Sequence, residues 1–409
     1  MLTSKYINST GGVTSFKNVE LSVHKHAFIL GKIVAYLEDL NNISLLPQVR
    51  NEYLRSKIAS GIYSVLAWEE SEIKLEQIAQ IQAGNSLPAG KVFLEDRIKK
   101  MLAAEHDLYK DIAIEKKHTQ ITPDFIKKMH LKTIAEDVAF SPEQEEWLDG
   151  FCSWVNSEVV PIHPETEVKA ILKAILTQAY FEWMQPFNSG SKQTGQLLEM
   201  ALLLEGGIPY LVAHILPVFY YETRSLYQRR LDIVSKDENP NSFIEYALQG
   251  FCDGLEDILQ TLQAQQFVIT WQHYIDTTLA NDEDAIKKVT IRRKLLMHAF
   301  PLNLEDGQKF EDVLVLTPAI ARVYAKSSKT ARRDLQALID LGLLTKKKMK
   351  YYPNVTAILG EMALKSSLVK LEQLKKKEIK YSHHVMPMIG AMELKSELLQ
   401  TLNELNGGE

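Results

Sequence analysis

The sequence has little cysteine, and this scarcity argues against two classes of protein. Cys152 and Cys252 are the only cysteines in 409 residues. They give neither the disulfide framework of a small secreted domain nor the close spacing of a metal site. The first 25 residues also lack the charged-then-apolar pattern of a secretory leader. We therefore expect a protein of the reducing cytoplasm.

Long uninterrupted apolar runs are also missing. The longest apolar stretch, 197–221, is broken by two glutamates, a Gly-Gly pair and two prolines. A membrane helix needs about 20 consecutive apolar residues. The stretch therefore predicts a buried core helix and the segment that follows it, and we expect no membrane association.

Neither sign of charge dominates. The net charge is −5, with 45% hydrophobic and 24% charged residues, which is an ordinary globular composition. This balance argues against a protein that coats nucleic acid along its whole surface but leaves room for a local basic patch. The length is sufficient for two or more domains.

The chain is organised around residues 170–208. This stretch predicts two apolar helices joined by a short polar loop. Small residues lead into the second helix, whose free N–H groups and dipole favour an anion. An ordinary corner between two packed helices explains the pattern equally well. The loop is not a P-loop, because it lacks the Gly-Lys-Ser/Thr spacing. Candidate anion-binding residues are Ser189, Gly190, Ser191, Lys192, Thr194 and Gly195.

The loop resembles the signature HPFxDGNGRTGR of the Fic (filamentation induced by cAMP) family. Five scaffold positions match, namely Pro186, Phe187, Gly190, Thr194 and Gly195. The chemical positions differ. Aligned with the signature, Gln185 replaces the general-base His, Ser189 the metal-binding acid, Ser191 the Asn, Lys192 the second Gly, and Gln193 and Gln196 the two phosphate-binding Arg. The resemblance thus implies a retained scaffold without catalytic residues.

The resemblance extends over about 40–280. Thr122 and Pro123 are predicted to begin a helix that carries His130, as in Fic domains. The family's substrate-docking hairpin has no room in 137–140, so that feature is predicted to be deleted. Glu69 matches the Glu of the family's inhibitory motif, which would pair with the position of Gln196. Because Gln196 carries no charge, we interpret Glu69 as a solvated helix end.

A second motif lies near the C-terminus, in 316–354. Thr317 and Pro318 are predicted to begin one helix, Ser328 to cap a second helix through Leu341, and Gly342 to end it. Two short strands around a basic turn follow. The stretch resembles the winged helix-turn-helix that follows many Fic domains.

Charge in this region supports the same interpretation. Eight cations face two acids, Asp334 and Asp340, a local charge of +6. This predicts DNA binding with the second helix in the major groove; a face for protein contacts is the alternative. The predicted DNA-binding residues are Lys326, Lys329, Arg332, Arg333, Lys346, Lys347, Lys348 and Lys350.

These patterns predict a mainly α protein with a Fic-like helical domain, a small winged-helix domain and a helical tail. The predicted boundaries are 1–90 for an N-terminal helical region, 91–280 for the Fic-like domain, 285–360 for the winged helix and 361–409 for the tail. The tail's leucine stripes favour internal packing or homodimer contacts. No metal site is expected, and His383-His384 lacks further ligands.

The predicted function is a catalytically degenerate Fic-family protein that acts as a DNA-binding transcriptional regulator. Its helical body would bind a ligand or a protein partner, and no cofactor is expected. The alternative is a divergent nucleotide-binding protein or an adenylyltransferase that moves AMP to a protein hydroxyl. Only that alternative requires ATP and Mg²⁺.

Overall fold

The structure, a computed structural model, describes eight segments of the chain and divides it into two units. The first unit comprises 1–42 and 51–257, and the second comprises 43–50 and 258–409. The predicted docking-hairpin deletion at 137–140 and the predicted tail at 361–409 lie outside the described residues. The described segments are 23–44, 46–134, 141–156, 166–187, 189–237, 240–282, 286–302 and 307–357.

The described part of the first unit is helical. Its helices are α1 (Val23–Asn42), α2 (Pro47–Leu66, which starts in the second unit), α3 (Leu75–Gln82), α4 (Val92–Leu108), α5 (Pro123–Thr133), α6 (Pro142–Asn156), α7 (Thr166–Met184), α8 (Ser191–Glu205), α9 (Ile215–Glu222), α10 (Arg224–Asp237) and the first part of α11 (Asn241–Ala280). A π-helical segment, Tyr109–Ile114, extends α4.

Helices α7 and α8 form the centre of this unit. Every residue of α8 from Gln193 to Leu204 is buried. A helix that is apolar around most of its circumference must be enclosed by other helices, because a single core-facing stripe would leave the remainder in water. Helix α7 buries apolar residues at helical spacing as well, including Ile171, Ala174 and Ile175.

The second unit combines short helices with a small sheet. After the last part of α11 come α12 (Lys287–Ala299), α13 (Phe310–Val313), α14 (Pro318–Tyr324) and α15 (Ser328–Asp340). Strands β1 (Gln308–Lys309), β2 (Leu344–Lys347) and β3 (Lys350–Pro353) form an antiparallel sheet in the order β1-β3-β2. The predicted mainly α fold with two strands around a basic turn is confirmed, and β1 is an addition that was not predicted.

The boundary between the units differs from the predicted one at 280–285. Helix α11 is continuous to Ala280, and its last part, from Ala264 to Leu279, packs into one hydrophobic core with α12, α14 and α15. The unit therefore begins within α11, because the core of 285–360 is incomplete without that part of the helix. Residues 51–90 likewise belong to the first unit rather than to a separate N-terminal region.

Helices α9 and α10 are separated at Thr223, whose hydroxyl donates to the Phe219 carbonyl at 2.6 Å. Helix α8 begins at Ser191, directly after the left-handed Gly190. None of the described helices is long and apolar enough to cross a membrane.

Three helix starts show how local chemistry sets the boundaries. The Thr122 hydroxyl accepts from the Phe125 N–H at 3.1 Å, and the Thr317 hydroxyl from the Ile320 N–H at 3.2 Å, each followed by proline at the first helical position. Both starts were predicted. For α15 the cap is Ser327, which accepts from the Thr330 N–H at 3.3 Å, and not the predicted Ser328.

The position of this cap is testable. Ser327→Ala should lower the free energy of unfolding by about 1 kcal/mol, because one N–H of the first turn loses its acceptor. Ser328→Ala is the matched control and should change it by less than about 0.5 kcal/mol. Urea unfolding of both variants measures this, and a larger loss in Ser328→Ala would restore the predicted cap.

Candidate functional site

The loop between α7 and α8 begins at Gln185, the position of the signature's general base. Gln185 is exposed and has a φ of 41°, in the left-handed region that side chains rarely adopt. Its N–H donates to the Phe181 carbonyl at 3.0 Å, so Gln185 ends α7 where glycine or asparagine is more usual. A carboxamide is not basic enough at neutral pH to take a proton from a hydroxyl.

Phe187 fastens the loop to the helical core. It is 3% exposed and stacks on the His130 ring, with centroids 3.8 Å apart. Its backbone is held by Ser191, whose hydroxyl accepts from the Phe187 N–H at 3.0 Å and donates to the Phe187 carbonyl at 2.9 Å. The serine at the signature's Asn position therefore closes the loop.

Gly190 lies where no larger residue fits. Its φ is 71°, and a Cβ at this position would lie 1.9 Å from Cδ1 of Ile134. The Thr194 hydroxyl donates to the Gly190 carbonyl at 2.9 Å and accepts from Nδ1 of His130 at 3.0 Å. Burial lowers the pKa of His130 to about 4, so the ring is neutral at pH 7. These contacts fix the start of α8 against α5.

Lys192 is not available for a phosphate, contrary to the sequence-based expectation. Its ammonium lies 2.6 Å from Oε1 of Glu182, which is 7% exposed. The same nitrogen lies 4.1 Å from the ring centroid of Trp68 and 5.3 Å from that of Tyr227. A carboxylate and two aromatic faces draw the side chain inward. Of the six candidate anion-binding residues, only Ser189 is exposed.

Glu69 lies exposed in the turn that follows α2, and its carboxylate also makes two side-chain contacts. Its Oε2 accepts from Nε2 of Gln193 at 3.0 Å and lies 3.0 Å from Nη2 of Arg97. Glu69 thus reaches the signature helix through the first Arg position rather than through Gln196, which is 2% exposed. Arg97 holds the neighbouring Glu70 as well. The Glu69 and Glu70 carboxylates both bind the Arg97 guanidinium. These contacts hold the turn after α2 against α4 and α8.

Glu199 is a buried acid that the sequence analysis noticed only as an interruption of an apolar run. It is fully buried on α8, and its Oε1 accepts from the Tyr220 hydroxyl at 3.4 Å. Burial raises the pKa of Glu199 to about 8. Among the described residues, no group of three His, Cys, Asp or Glu side chains is placed to hold a metal ion.

The second unit presents the predicted basic face. Lys326, Lys329, Arg332 and Arg333 are all exposed, and the last three lie on one side of α15 at helical spacing. The Arg332 guanidinium lies 3.9 Å from the ring centroid of Phe310. The ring supports this side chain from beneath while the rest of the face remains open to solvent.

The hairpin of β2 and β3 adds further cations. Lys346, Lys347 and Lys348 are exposed, and Lys348 begins a two-residue turn with a φ of 56°. Glycine is preferred at such a position, so lysine is strained there. Met349, the other turn residue, is 77% exposed.

A row of three lysines crosses the sheet. Lys350 pairs directly with Lys347 on one side and with Lys309 on the other. Side chains directly opposite on neighbouring strands share a face, and like charges there destabilise the pairing. Lys309 was missed from the sequence because the two-residue strand β1 has no recognisable pattern.

Asp334 anchors the basic helix from behind. It is 1% exposed and accepts from Nε of Arg292 at 2.6 Å, from Nη2 of Arg292 at 3.0 Å and from the Tyr324 hydroxyl at 2.9 Å. Nε of Arg293 lies 3.4 Å away. The local charge of +6 predicted from the sequence counted Asp334 against the exposed cations. Because the Asp334 carboxylate is already paired, it does not offset them.

Comparisons with known proteins give remote similarities. No family model matches the chain, and no curated protein matches its sequence. One similar solved structure is a Fic family protein from Desulfovibrio desulfuricans G20, with 13% identity and a TM-score of 0.46 over 80% of this chain and 95% of that one. Another is Fic-1 from C. elegans, with 19% identity and a TM-score of 0.43 over 57% of this chain and 71% of that one. Similarities at this level do not assign the chain to a family.

The packing of the loop gives one prediction. Phe187→Ala should lower the free energy of unfolding by about 3–5 kcal/mol, because a buried ring is removed between α5 and α7. Phe93→Ala is the control, since Phe93 is 65% exposed and should contribute less than about 0.5 kcal/mol. Denaturant unfolding compares the two, and equal small losses would contradict the assigned packing.

The buried acid gives a prediction of pH dependence. The folded protein holds the Glu199 proton up to a pKa of about 8, whereas an unfolded Glu loses it near pH 4.3. The stability that depends on this proton is complete below about pH 4.3 and is lost progressively up to about pH 8. Glu199→Gln cannot titrate. Its free energy of unfolding relative to the parent should therefore rise by about 1.4 kcal/mol per pH unit across this window and level off above it.

Urea unfolding of both proteins at half-unit pH steps from 5 to 9 would measure this difference. The facing tyrosines are present in both proteins and cancel in the comparison. A difference that stays constant with pH would show that Glu199 is ionised in the folded state.

Proposed function

We propose that the protein is a DNA-binding regulator. In this proposal the second unit is a winged helix-turn-helix, α15 enters the major groove, and the hairpin of β2 and β3 is the wing. The first unit is a Fic-like body without catalytic machinery that binds a ligand or a protein partner. The exposed basic face of α15 with its adjoining lysine row carries the proposal.

The charge distribution supports nucleic acid as the partner. Residues 286–302 and 307–357 carry fifteen lysines and arginines against four acids, in a chain whose net charge is −5. Exposed Lys329, Arg332 and Arg333 occupy successive positions on one face of α15. An arginine that meets a guanine edge with two hydrogen bonds discriminates between bases by about 1–3 kcal/mol.

Two features that folding alone does not favour strengthen the argument. Lys348 is strained in a turn position suited to glycine, and Lys350 lies between two other lysines across the sheet. Local strain and like-charge pairing both cost stability. Binding to the phosphate groups of a DNA backbone would offset both of these costs in stability, because the phosphates neutralise the lysines and release counterions.

The buried Asp334 supports the same function by fixing α15. A bidentate contact from Arg292 is both stronger and more directional than a single hydrogen bond. The recognition helix is thereby held on α12 before any partner arrives. A helix that is already positioned loses less conformational entropy on binding.

The geometry of the first unit favours a binding role over a transferase. Transfer of AMP to a hydroxyl requires a base, an acid-held Mg²⁺ and cations on the phosphates. Gln185 is no base, and loss of a general base alone typically costs a factor of about 10²–10⁴ in rate. The remaining cation of the loop, Lys192, is already paired with Glu182. We therefore place the first unit outside catalysis.

Two lysine variants test the DNA interface. Lys348→Gly removes one wing cation while relieving backbone strain, so the protein should remain folded but bind every duplex more weakly. The slope of log affinity against log salt should become shallower by about 0.9 for the lost phosphate contact. Lys116→Gly is the matched control, because Lys116 is also exposed with a φ of 54° but lies in the first unit.

The measurement uses the full chain and a random duplex pool at about 50 mM salt, followed by titration of selected sequences. Arg332→Ala should relax the preference among sequences by about 1–3 kcal/mol at one position while leaving the salt slope nearly unchanged. If the folded chain selects no duplex, or if Lys116→Gly weakens binding as much as Lys348→Gly, DNA is not the partner. The basic face would then be a surface for an acidic protein.

A further inference from the structure

Phe310 lies beneath the exposed face of α15 and belongs to none of the predicted sites. It is the first residue of α13, and its half-buried side chain packs against the hydrophobic core of the second unit. The ring also meets the Arg332 guanidinium, whose Cζ lies 3.9 Å from the ring centroid. One aromatic side chain therefore links the core to an exposed arginine of the basic face.

The distance between these two groups determines how they are oriented. At 3.9 Å from the centroid, Cζ lies over the face of the ring, since an approach in the ring plane would push it into the ring's own atoms. A C–N bond of this kind is about 1.3 Å long, so an N–H aimed at the ring would put its nitrogen about 2.6 Å from the centroid, closer than van der Waals contact. The plane of the guanidinium therefore lies along the plane of the ring.

Phe310 is itself held in place. Strand β1 ends at Lys309, which pairs with Lys350 of β3. The Lys309 N–H donates to the Asp312 carboxylate at 3.3 Å and so closes the first turn of α13. The backbone of Phe310 is thus fixed by the sheet on one side and by a helix cap on the other, which gives the ring a defined position.

Stacking limits the orientation of Arg332 but leaves its donors available. The five N–H groups of a guanidinium lie in its plane and point outward, past the edge of a ring stacked on its face. Two adjacent N–H groups match O6 and N7 of guanine on the major-groove edge. A phosphate accepts hydrogen bonds from many directions, whereas a base edge requires donors that lie in its own plane. An arginine held in one plane is therefore suited to a base rather than to the DNA backbone.

The neighbouring cations differ from Arg332 in this respect. Lys329 and Arg333 are exposed on the same face of α15, and neither has an aromatic ring beneath it in the described part of the second unit. We propose that Phe310 is a positioning residue that holds Arg332 in the orientation needed to contact one guanine of the target DNA. This role of Phe310 rests on the DNA-binding function proposed above.

Binding of the full chain to a selected duplex, with each base pair exchanged in turn, tests this role. The parent should prefer guanine at one position by about 5- to 100-fold, the usual value of a bidentate arginine contact. Arg332→Lys keeps the charge but lacks the fork of donors, so it should lose most of this preference. Phe310→Leu should lower it about three- to tenfold, because the freed arginine must lose its side-chain motion on binding. The slope of log affinity against log salt should not change, since no phosphate contact is lost.

Two comparisons separate positioning from a general effect on the fold. Phe310→Tyr keeps the ring and is the matched control, so it should retain the full guanine preference. In an Arg332→Lys background, Phe310→Leu should have no further effect on that preference. If Phe310→Leu instead weakens binding to every duplex equally, or acts as strongly without Arg332, Phe310 has no positioning role.

A failure of this role can be distinguished from a failure of DNA binding. If the folded chain selects duplexes but no guanine depends on Arg332, only the role of Phe310 is overturned. If it selects no duplex, the proposed function is overturned as well.

An NMR measurement on the free protein covers the case in which Phe310→Leu does not fold. The Nε proton of Arg332, assigned by its absence in Arg332→Lys, lies over the ring face and should resonate upfield of the Nε proton of Arg333. Equal chemical shifts for the two protons would overturn the stacking and the role that depends on it.

Discussion

The complete enclosure of α8 is the constraint on which the rest of the first unit depends. A helix without an exposed face cannot leave its polar side chains to water, so each must find a partner inside the protein. Thr194 bonds to Gly190 and His130, Gln193 to Glu69, and Glu199 to Tyr220. Gln193, which aligns with one of the phosphate-binding arginines of the Fic signature, is thus a side chain that joins α8 to the turn after α2.

The second unit uses polar residues in the opposite way. Helix α15 buries its apolar side and one acid, Asp334, and turns its cations outward. The buried carboxylate is stable there because Arg292 and Tyr324 satisfy its oxygens. Removing Arg292 would leave this buried carboxylate with only Nε of Arg293, 3.4 Å away, as its counter-ion, and an uncompensated charge in the core is strongly destabilising. The cations on the outer face of α15 are exposed to solvent and need no partner in the core. Their charge is therefore available to a binding partner.

Local features of the fold could be predicted from the sequence, whereas distant contacts could not. Thr122 and Thr317 were identified as caps, and Gly342 as a left-handed stop, because each depends on only a few neighbouring residues. Glu69 meets Gln193 across 124 positions, and Arg292 meets Asp334 across 42. No local pattern encodes such pairs. The same reason explains the misplaced unit boundary, since only the packing of α11 reveals where the second core begins.

The ion pair between Lys192 and Glu182 has a consequence for any attempt to convert this loop into a catalyst. The full signature has glycine at position 192, but Lys192→Gly alone would strand the buried Glu182 without its counter-ion. Gln196→Arg alone would force a guanidinium into the interior, because the side chain at this position is only 2% exposed. Each of these single substitutions toward the signature is therefore expected to destabilise the fold. Gly190 and Phe187, in contrast, are already fixed by packing.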